Sequence, residues 1–432
     1  MSGAVGFWLA ADALPVMSAP LLDADRLRAL ARRRLSRLLL TAGRTGFYQA
    51  RLREAGVTGS SLLLERDPSA VLAGMAPVSK AELREAGDGL FVGGRPRSGW
   101  RSSASSGSTG EPFRVYYDAR AWATLKLLVK WRARRRCGLG VQHRVALLEA
   151  VPPVDASPDG GPAGRVARIS IFQPAEVVAA QLVAFAPDAV YGLPSALREA
   201  GSILQDGGAR FRVPLIFTSG ELLHPGARAA ISRAFHGRVY DVYGSSETKE
   251  IAWECPAGGM HVNADVMRVE IVDDAGGLLP EGAEGHIVAT SLVNHAMPLL
   301  RYRLGDRGSL LPGRCDCGLA FPRLGVVTGR EADMLELRGG RRVSPYALTC
   351  ALERVGQVLR YQVTQLDPAR VRVRAIAHPD ADREAMAERI RAVLRAEVAP
   401  FLEADVEYVD RLAHGPRAKF RVVEPLATGA RA

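Results

Sequence analysis

Cysteine is scarce in this sequence of 432 residues, occurring only five times. A low and odd count argues against the disulfide framework that holds small secreted domains together. Apolar runs are short as well, and we count none that reaches the ~18 residues a membrane-spanning helix needs. The N-terminus is apolar but has no basic leader, so we do not interpret it as a signal peptide. We therefore expect a cytoplasmic protein with no membrane partner.

Lysine is the second scarce residue. The sequence has 57 basic residues, of which only five are lysine. They are Lys80, Lys126, Lys130, Lys249 and Lys419. The arginines are dispersed rather than gathered in one stripe, which argues against a nucleic-acid partner despite the net charge of +11. A positive surface also suits an anionic partner such as ATP, coenzyme A or an acidic carrier protein.

The length exceeds one compact core and suits two or three structural units. Strand and helix patterns alternate in the middle of the chain. Strands are predicted at 145–151, 189–192, 213–217 and 239–242, with helices at 195–205 and 225–235. This rhythm predicts an α/β domain with mostly parallel, helix-covered sheets, whose ligands bind at the carboxyl ends of the strands. After about residue 329 the pattern predicts a small α+β unit, with a strand at 371–377 and a helix at 386–394.

A loop rich in serine and glycine is the first segment with chemical character. It contains Ser105, Ser106, Gly107, Ser108, Thr109 and Gly110, followed by Glu111 and Pro112. Glycines let backbone amides converge on an anion, and hydroxyls add further donors. The loop lacks the glycine–lysine–serine/threonine pattern of a P-loop. Its composition alone favours a flexible linker.

A second segment, Tyr243-Gly-Ser-Ser-Glu-Thr248, follows the predicted strand at 239–242. Tyr243 could stack on a base, and the carboxylate of Glu247 could hold Mg²⁺ against phosphates. An ordinary polar turn at a strand end is equally compatible with these residues.

The order of five motifs resembles the acyl-adenylate-forming superfamily. The motifs are the serine–glycine loop, Tyr243–Thr248, Arg301-Tyr-Arg-Leu-Gly-Asp306, Gly329-Arg-Glu-Ala-Asp-Met334 and Lys419-Phe-Arg421. Together with Thr45-Gly-Phe-Tyr48 and Pro77-Val-Ser-Lys80, they look most like the phenylacetate–coenzyme A ligase branch, which includes capsular polysaccharide biosynthesis proteins. The resemblance covers nearly the whole chain. It implies a large N-terminal adenylation domain (1–328), a hinge (329–333) and a small, mobile C-terminal domain (334–432).

The resemblance also implies an activity. Such an enzyme joins a carboxylic acid to AMP at the expense of ATP and passes the acyl group on, here most simply to coenzyme A. Two alternatives remain open, namely transfer to an amine or carrier protein, and a nucleotide-binding homologue that has lost turnover. An aromatic or other small acid is implied as substrate. Homodimerisation is possible by the same analogy.

Site residues follow from the resemblance position by position. Nucleotide-binding roles fall on Ser105, Ser106, Gly107, Ser108, Thr109, Gly110, Ser219, Gly220, Glu221, Asp241, Tyr243, Gly244, Ser245, Ser246, Asp306 and Arg330. Asp306 would accept hydrogen bonds from the ribose hydroxyls. Catalytic roles fall on Thr109, Glu247 as the Mg²⁺ ligand, and Lys419. Tyr191, Phe217 and Tyr240 are candidates for the acid pocket.

Lys419 has a separate argument. No lysine occurs from 250 to 418, so a lysine at the position where the family needs a compact cation has a chance probability on the order of one in a hundred, and arginine is no equivalent there. Two positions depart from the family pattern. Glu111 stands where relatives often carry lysine, and Ala332 stands at the usual acidic or basic hinge position.

Four further residues form a candidate metal set. Cys255, His261, Cys315 and Cys317 supply three thiols and an imidazole, which suit tetrahedral Zn²⁺. Similar positions hold a structural zinc in part of the branch that the chain resembles. Separate reduced cysteines and a solvated histidine are the alternative. Cys137 and Cys350 are expected to be ordinary buried residues.

Overall fold

The computed structural model describes residues 3–57, 59, 66–104, 113–157, 164–206, 211–330, 333–355, 357–378, 380–412 and 422–426. The serine–glycine loop at 105–110, Glu111, Ala332 and Lys419 therefore lie outside the described residues. Their assigned roles remain predictions.

Helices occupy much of the first third of the chain and recur up to its C-terminal segment. In the described ranges they are α1 (Gly3–Ser18), α2 (Ala24–Ala42), α3 (Gly46–Glu54), α4 (Pro68–Ala73), α5 (Lys80–Ala86), α6 (Ala119–Trp122), α7 (Val129–Arg136), α8 (Ala175–Phe185), α9 (Pro194–Asp206), α10 (Pro225–Phe235), α11 (Pro345–Leu352) and α12 (Arg383–Glu397). A π-helical stretch, Ala123–Leu128, lies between α6 and α7.

Strands dominate the remainder. They are β1 (Arg101–Ala104), β2 (Arg114–Tyr117), β3 (Val145–Glu149), β4 (Val166–Ser170), β5 (Ala189–Gly192), β6 (Leu215–Ser219), β7 (Arg238–Ser245), β8 (Lys249–Glu254), β9 (Met260–Val262), β10 (Met267–Val272), β11 (Gly285–Ser291), β12 (Tyr302–Gly308), β13 (Leu310–Leu311), β14 (Arg323–Leu324), β15 (Gly329–Arg330), β16 (Leu335–Glu336), β17 (Arg342–Val343), β18 (Val358–Asp367), β19 (Arg370–Ala377), β20 (Glu403–Tyr408) and β21 (Val423–Glu424).

The chain divides into two compact units. The first unit comprises Met1–Val141, Tyr240–Leu304 and Gly308–Val327, and the second comprises Gln142–Val239, Gly305–Arg307 and Thr328–Ala432. The α/β class with a smaller C-terminal α+β domain is confirmed. The domain boundary at 328 and the hinge at 329–333 remain predictions.

Antiparallel ladders build the sheets of the first unit. Strands β13, β14, β9, β8 and β7 follow one another in hydrogen-bonded order, and each neighbouring pair is antiparallel. Short connections explain the pairings of β7 with β8 and of β8 with β9, because a tight hairpin can only join antiparallel strands. A buried core that includes Leu38, Tyr48, Leu83 and Leu300 packs the N-terminal helices of this unit.

The parallel sheet predicted from the βαβ rhythm lies in the second unit. Strands β4, β3, β5 and β6 are parallel neighbours in that order. Helices α8, α9 and α10 bury Leu182, Leu197 and Ile231 in the core cluster of this sheet. Helix α8 and strand β4 were missed by the sequence analysis. The mostly parallel character is thus concentrated in the stretch 145–219.

The C-terminal segment has its own core. Strands β20, β19, β18 and β21 form one sheet, in which β18 and β19 are antiparallel and the two outer strands are parallel to their neighbours. Alternating Val371, Val373 and Ala375 face a core shared with Met386 and Ile390 of α12. This confirms the strand predicted at 371–377 and the amphipathic helix that follows it.

Leucines at helical spacing over 22–56 predict a helical segment, and the structure divides this segment between two helices. Helix α2 ends at Ala42, and α3 begins after Thr45, whose hydroxyl accepts a hydrogen bond from the amide of Tyr48 at 3.3 Å. A threonine in extended conformation at this place caps a new helix instead of continuing the old one. The serine- and glycine-rich composition of 98–112 predicts a loop, but Arg101–Ala104 within it form β1, which pairs with β2.

One apolar segment corrects the count of hydrophobic runs. In the described chain a single helix, spanning Ala4–Leu21, is long and apolar enough by length and composition to cross a membrane, and 28% of it is buried. The count missed it because Asp12 and Pro15 interrupt the apolar run. Asp12 is buried and accepts two hydrogen bonds from Arg120, at 2.8 and 2.9 Å.

Candidate functional site

The motif turn at 243–249 carries most of the predicted chemistry in the first unit. It comprises the end of β7, the three residues that follow and the first residue of β8, with Gly244 opposite Glu250 and Ser245 opposite Lys249. A side chain at Gly244 would place its Cβ 2.3 Å from the carbonyl oxygen of Lys249, so only glycine fits this approach. Lys249 itself has a φ of 68°, in the left-handed region.

Hydrogen bonds fix the backbone of this turn. The hydroxyl of Ser245 accepts from the amides of Glu247 at 3.2 Å and Thr248 at 3.1 Å. From the other side, the phenol of Tyr117 donates to the carbonyl of Glu247 at 2.6 Å. Burial, and next the charge of Glu247, raise the pKa of Tyr117, so the phenol keeps its proton and remains a donor. The position of Glu247 is therefore set by three local contacts.

The carboxylate of Glu247 is nearly buried and paired with a cation. Its Oε1 lies 3.1 Å from Nζ of Lys80 and accepts a hydrogen bond from Tyr302 at 3.3 Å. The Glu247 side chain is 9% exposed and that of Lys80 is 28% exposed. A buried carboxylate without a cation would be costly, so Lys80 stabilises its charged form.

A second lysine, Lys249, is the last residue of the same turn. Nζ of Lys249 donates to the carbonyl of Ser246 at 2.8 Å and lies 4.8 Å from the ring centroid of Tyr117. Burial, reinforced by the charge of Lys126, lowers the pKa of Lys249 to about 7. This side chain supports the turn from within the protein.

The remaining predicted residues of the first unit are distributed around β7. Tyr240 is buried, and the amide of Asp241 donates to the carboxylate of Glu254 at 2.9 Å. Tyr243 is partly buried and packs against the hydrophobic core of the unit.

In the second unit, the loops after β5 and β6 are joined by Glu221. Its carboxylate accepts hydrogen bonds from the amide and the hydroxyl of Ser195, both at 2.9 Å. Gly220, at a φ of 88°, makes the turn after Ser219 that brings this carboxylate back. The side-chain oxygens of Glu221 thus bind the start of α9, which the sequence analysis did not anticipate.

Asp306 and Arg330, each predicted separately to bind nucleotide, lie close together in the second unit. They are opposed in the antiparallel ladder of β12 and β15, and Nε of Arg330 lies 4.0 Å from Oδ1 of Asp306. Tyr191 and Phe217 are likewise opposed in the ladder of β5 and β6. Phe217 is buried, whereas Tyr191 is partly exposed.

The four candidate metal ligands converge in the first unit. The donor atoms of Cys255, His261, Cys315 and Cys317 all lie within 4.8 Å of one another. The sulfurs of Cys255 and Cys315 are 3.7 Å apart, and Sγ of Cys317 is 3.1 Å from Nε2 of His261. A tetrahedral zinc site with Zn–S bonds of about 2.3 Å places its sulfurs about 3.8 Å apart.

Local structure supports this donor set. The opposite nitrogen of His261, Nδ1, lies 3.0 Å from the carbonyl of Phe321, which orients the ring with Nε2 toward the thiols. A Cβ at Gly259 would lie 2.7 Å from Sγ of Cys315, so glycine permits the approach of the two loops. Burial lowers the pKa of His261, which favours the neutral form that binds metals.

Lys80, Tyr117, Tyr302 and Lys249 were not given roles in the sequence analysis, although they surround Glu247. One signal could have found the lysines. Two of the five lysines in an arginine-rich chain contact this turn, and the scarcity argument used for Lys419 applies equally to them. The two tyrosines carry no comparable sequence signal.

Comparison with characterised proteins places this geometry in context. No protein-family model matches the chain. It is 29% identical over 384 residues to phenylacetate–coenzyme A ligase of Thermus thermophilus, an alignment that covers 82% of each chain. It is also 24% identical over 243 residues to the protein CapK of Staphylococcus aureus, covering 55% of this chain and 52% of CapK.

Solved structures agree in fold. A crystal structure of 2-hydroxyisobutyryl-CoA ligase in the postadenylation state matches with a TM-score of 0.76 at 20% sequence identity. The match covers 94% of this chain and 91% of that ligase. At this level of identity the likeness establishes the fold.

Proposed function

We propose that this chain, a member of the acyl-adenylate-forming superfamily on its phenylacetate–coenzyme A ligase-like branch, activates a small carboxylic acid with ATP and transfers it to coenzyme A. The observation that carries the proposal is the turn at 243–249, whose contacts fix the carboxylate of Glu247. The similarity to phenylacetate–coenzyme A ligase over 82% of the chain supports the same reaction class.

The reaction has two balanced steps. A carboxylate oxygen of the acid bonds to the α-phosphorus of ATP, and the bond to the β-phosphate breaks, releasing pyrophosphate. The thiolate of coenzyme A then bonds to the acyl carbon, and the acyl–oxygen bond breaks to release AMP. Both steps bring anions together, so cationic groups must lower the repulsion. ATP and coenzyme A are both available in the cytoplasm, where we place the activity.

The roles of individual residues are part of the proposal. Tyr243 stacks on adenine, the pair of Asp306 and Arg330 binds ribose, and the loop at 105–110 with Thr109 encloses the phosphates. Lys419 lies between the acid carboxylate and the α-phosphate during adenylation. The small domain after the hinge at 329–333 rotates between the two steps. Tyr191, Phe217 and Tyr240 border the acid.

Mg²⁺ fits the donor chemistry at Glu247. A carboxylate oxygen is the ligand this ion prefers, and the ammonium of Lys80 lies against that oxygen as a stand-in cation. When bound there, Mg²⁺ supplies charge neutralisation for the triphosphate. Glu247 would hold it, and Ser245 and Tyr117 would keep Glu247 in place.

Zn²⁺ fits the donor set of Cys255, His261, Cys315 and Cys317. Four protein ligands leave no open position, so we assign this site a structural role that joins the β8–β9 hairpin to the loop before β14. The hydrogen bond at Nδ1 of His261 leaves Nε2 as the ligand atom.

Exchange of labelled pyrophosphate into ATP tests the adenylation step. We expect exchange that depends on one member of a panel of aromatic and small acids, phenylacetate among them. Coenzyme A should then stimulate AMP release, whereas amines and a carrier protein should not. Exchange with stimulation by an amine alone would indicate an amide ligase. Absence of acid-dependent exchange across the panel would indicate a nucleotide-binding homologue without turnover and would refute the proposal.

A further inference from the structure

The ion pair of Lys80 and Glu247 has a feature that local structure does not explain. Lys80 is the first residue of α5, directly after Ser79, whose side chain and backbone form a capping box with Glu82. Acidic side chains stabilise the first turn of a helix and cationic ones do not, because the helix dipole is positive there. The position of this rare lysine is therefore explained by its ion pair with Glu247 and not by the stability of its own helix.

The geometry of the pair is open on the lysine side. The Lys80 side chain is 28% exposed, whereas that of Glu247 is 9% exposed. The capping box fixes the backbone of Lys80, so the four-carbon side chain pivots about a defined point. An ammonium on such a side chain can leave one oxygen for another without any movement of the backbone.

Once nucleotide and its divalent cation bind at Glu247, electrostatic repulsion requires the ammonium of Lys80 to leave the carboxylate. A divalent cation at Glu247 would lie within a few Å of the ammonium, and two like charges at about 4 Å repel by several kcal/mol at the effective dielectric of a protein surface. Anionic oxygens between the two cations remove this repulsion. The β- and γ-phosphates of ATP supply such oxygens, and the segment 105–112 contains neither lysine nor arginine to bind them.

We propose that Lys80 exchanges Glu247 for the β- and γ-phosphates of bound ATP, and so binds the pyrophosphate that the first step releases. This role rests on the proposed function, because it requires ATP at the turn. It assigns the lysine two partners. Glu247 holds it in the empty protein, and the departing pyrophosphate holds it in the loaded one.

A purely structural role makes a different prediction. If Lys80 only neutralises Glu247, its removal disturbs the turn and weakens every nucleotide alike. If Lys80 binds the outer phosphates, its removal weakens ATP and pyrophosphate but not AMP, which lacks those groups. Binding of the three compounds therefore separates the two roles without any measurement of turnover.

The experiment is calorimetric titration of the full chain with ATP, AMP and inorganic pyrophosphate, each with Mg²⁺. In Lys80→Gln, which keeps length and a donor but loses charge, we expect affinity for ATP and pyrophosphate to fall about tenfold to a hundredfold, as for loss of a charge-assisted hydrogen bond. AMP affinity should change less than about twofold. Lys80→Arg should recover part of the loss.

Lys130→Gln is the matched control. Nζ of Lys130 lies 3.8 Å from Glu250, which keeps an ion pair with Arg134 at 2.9 Å when Lys130 is changed. This variant should bind all three compounds like the unaltered protein. Equal losses of ATP and AMP affinity in Lys80→Gln, or no loss at all, would overturn the role of Lys80 while leaving the proposed function intact. An unaltered protein that binds neither ATP nor AMP would overturn both.

Discussion

Two largely buried glutamates, one in each unit, are handled differently by the fold. Glu247 of the first unit pairs with Lys80, whose side chain reaches solvent. Glu353 of the second unit lies 3.5 Å from both Arg198 and His224 and accepts a hydrogen bond from Tyr361 at 3.3 Å. Burial raises the pKa of Glu353 despite Arg198.

Packing sharpens the contrast. A Cβ at Gly226 would lie 2.1 Å from Oε2 of Glu353, so the carboxylate is pressed against backbone. A carboxylate with three side-chain partners ties α10 and α11 together, whereas one whose cationic partner is a partly exposed lysine can exchange that partner for a ligand. By this difference we distinguish Glu353, a structural carboxylate, from Glu247, a carboxylate suited to ligand binding.

The largest expected effect is a difference in exchange activity between variants of the two glutamates. Glu247→Gln should lower acid-dependent pyrophosphate exchange by about 10²- to 10³-fold, the scale of losing one preorganised electrostatic contact in a transition state. Glu353→Gln should leave exchange within about threefold and act mainly on stability. Exchange rates of both variants check this. Equal losses in the two would contradict the distinction.

The second prediction compares cysteines between the units. Cys317→Ser should lower bound zinc from about one ion per chain to near zero and reduce stability by several kcal/mol, because metal binding is coupled to folding. Cys350→Ser, in the second unit, should leave the metal content unchanged. Metal analysis of protein prepared without chelator, with thermal unfolding, provides the measurement. If the protein without the substitution contained far below one zinc per chain, the proposed zinc site would be refuted.

The third prediction compares two glycines. Gly244→Ala places Cβ against the backbone carbonyl of Lys249, which cannot rotate away, so we expect a cost of about 2–3 kcal/mol and lost exchange activity. Gly226→Ala places Cβ against the side chain of Glu353, which can rotate, so about 1 kcal/mol is expected. Urea unfolding of both variants gives the ranking. A reversed order would show that the turn at 243–249 is not rigid.

The last prediction concerns pH and the second unit. Burial, and next the charge of Arg198, lower the pKa of His224 to about 4. The unfolded chain therefore binds more protons between pH 6.5 and 4, and stability falls as pH decreases through that window, by at most about 1.4 kcal/mol per pH unit. His224→Asn keeps a helix-capping side chain and should flatten this slope. An unchanged slope between pH 6.5 and 4 would contradict the shift.

The sequence alone predicted the order of motifs, the strand–helix alternation and the metal set of Cys255, His261, Cys315 and Cys317. The strand–helix alternation depends on local spacing, whereas the motif order and the metal set depend on residue type and on a family resemblance. The pairing of Lys80 with Glu247 depends on how distant segments pack, and no local pattern encodes it. Helix α8 was missed because it has no clear polar face, and the engagement of Glu221 by Ser195 became visible only once the loops after β5 and β6 were placed side by side.

The most direct test of acid activation is isotopic. The acid identified by the exchange screen is supplied with oxygen-18 in its carboxylate, together with ATP, Mg²⁺ and coenzyme A, and the products are analysed by mass spectrometry. Attack of the carboxylate on the α-phosphorus predicts AMP that carries one oxygen-18 and pyrophosphate that carries none. Unlabelled AMP, or label in released phosphate, would contradict formation of an acyl-adenylate by this chain.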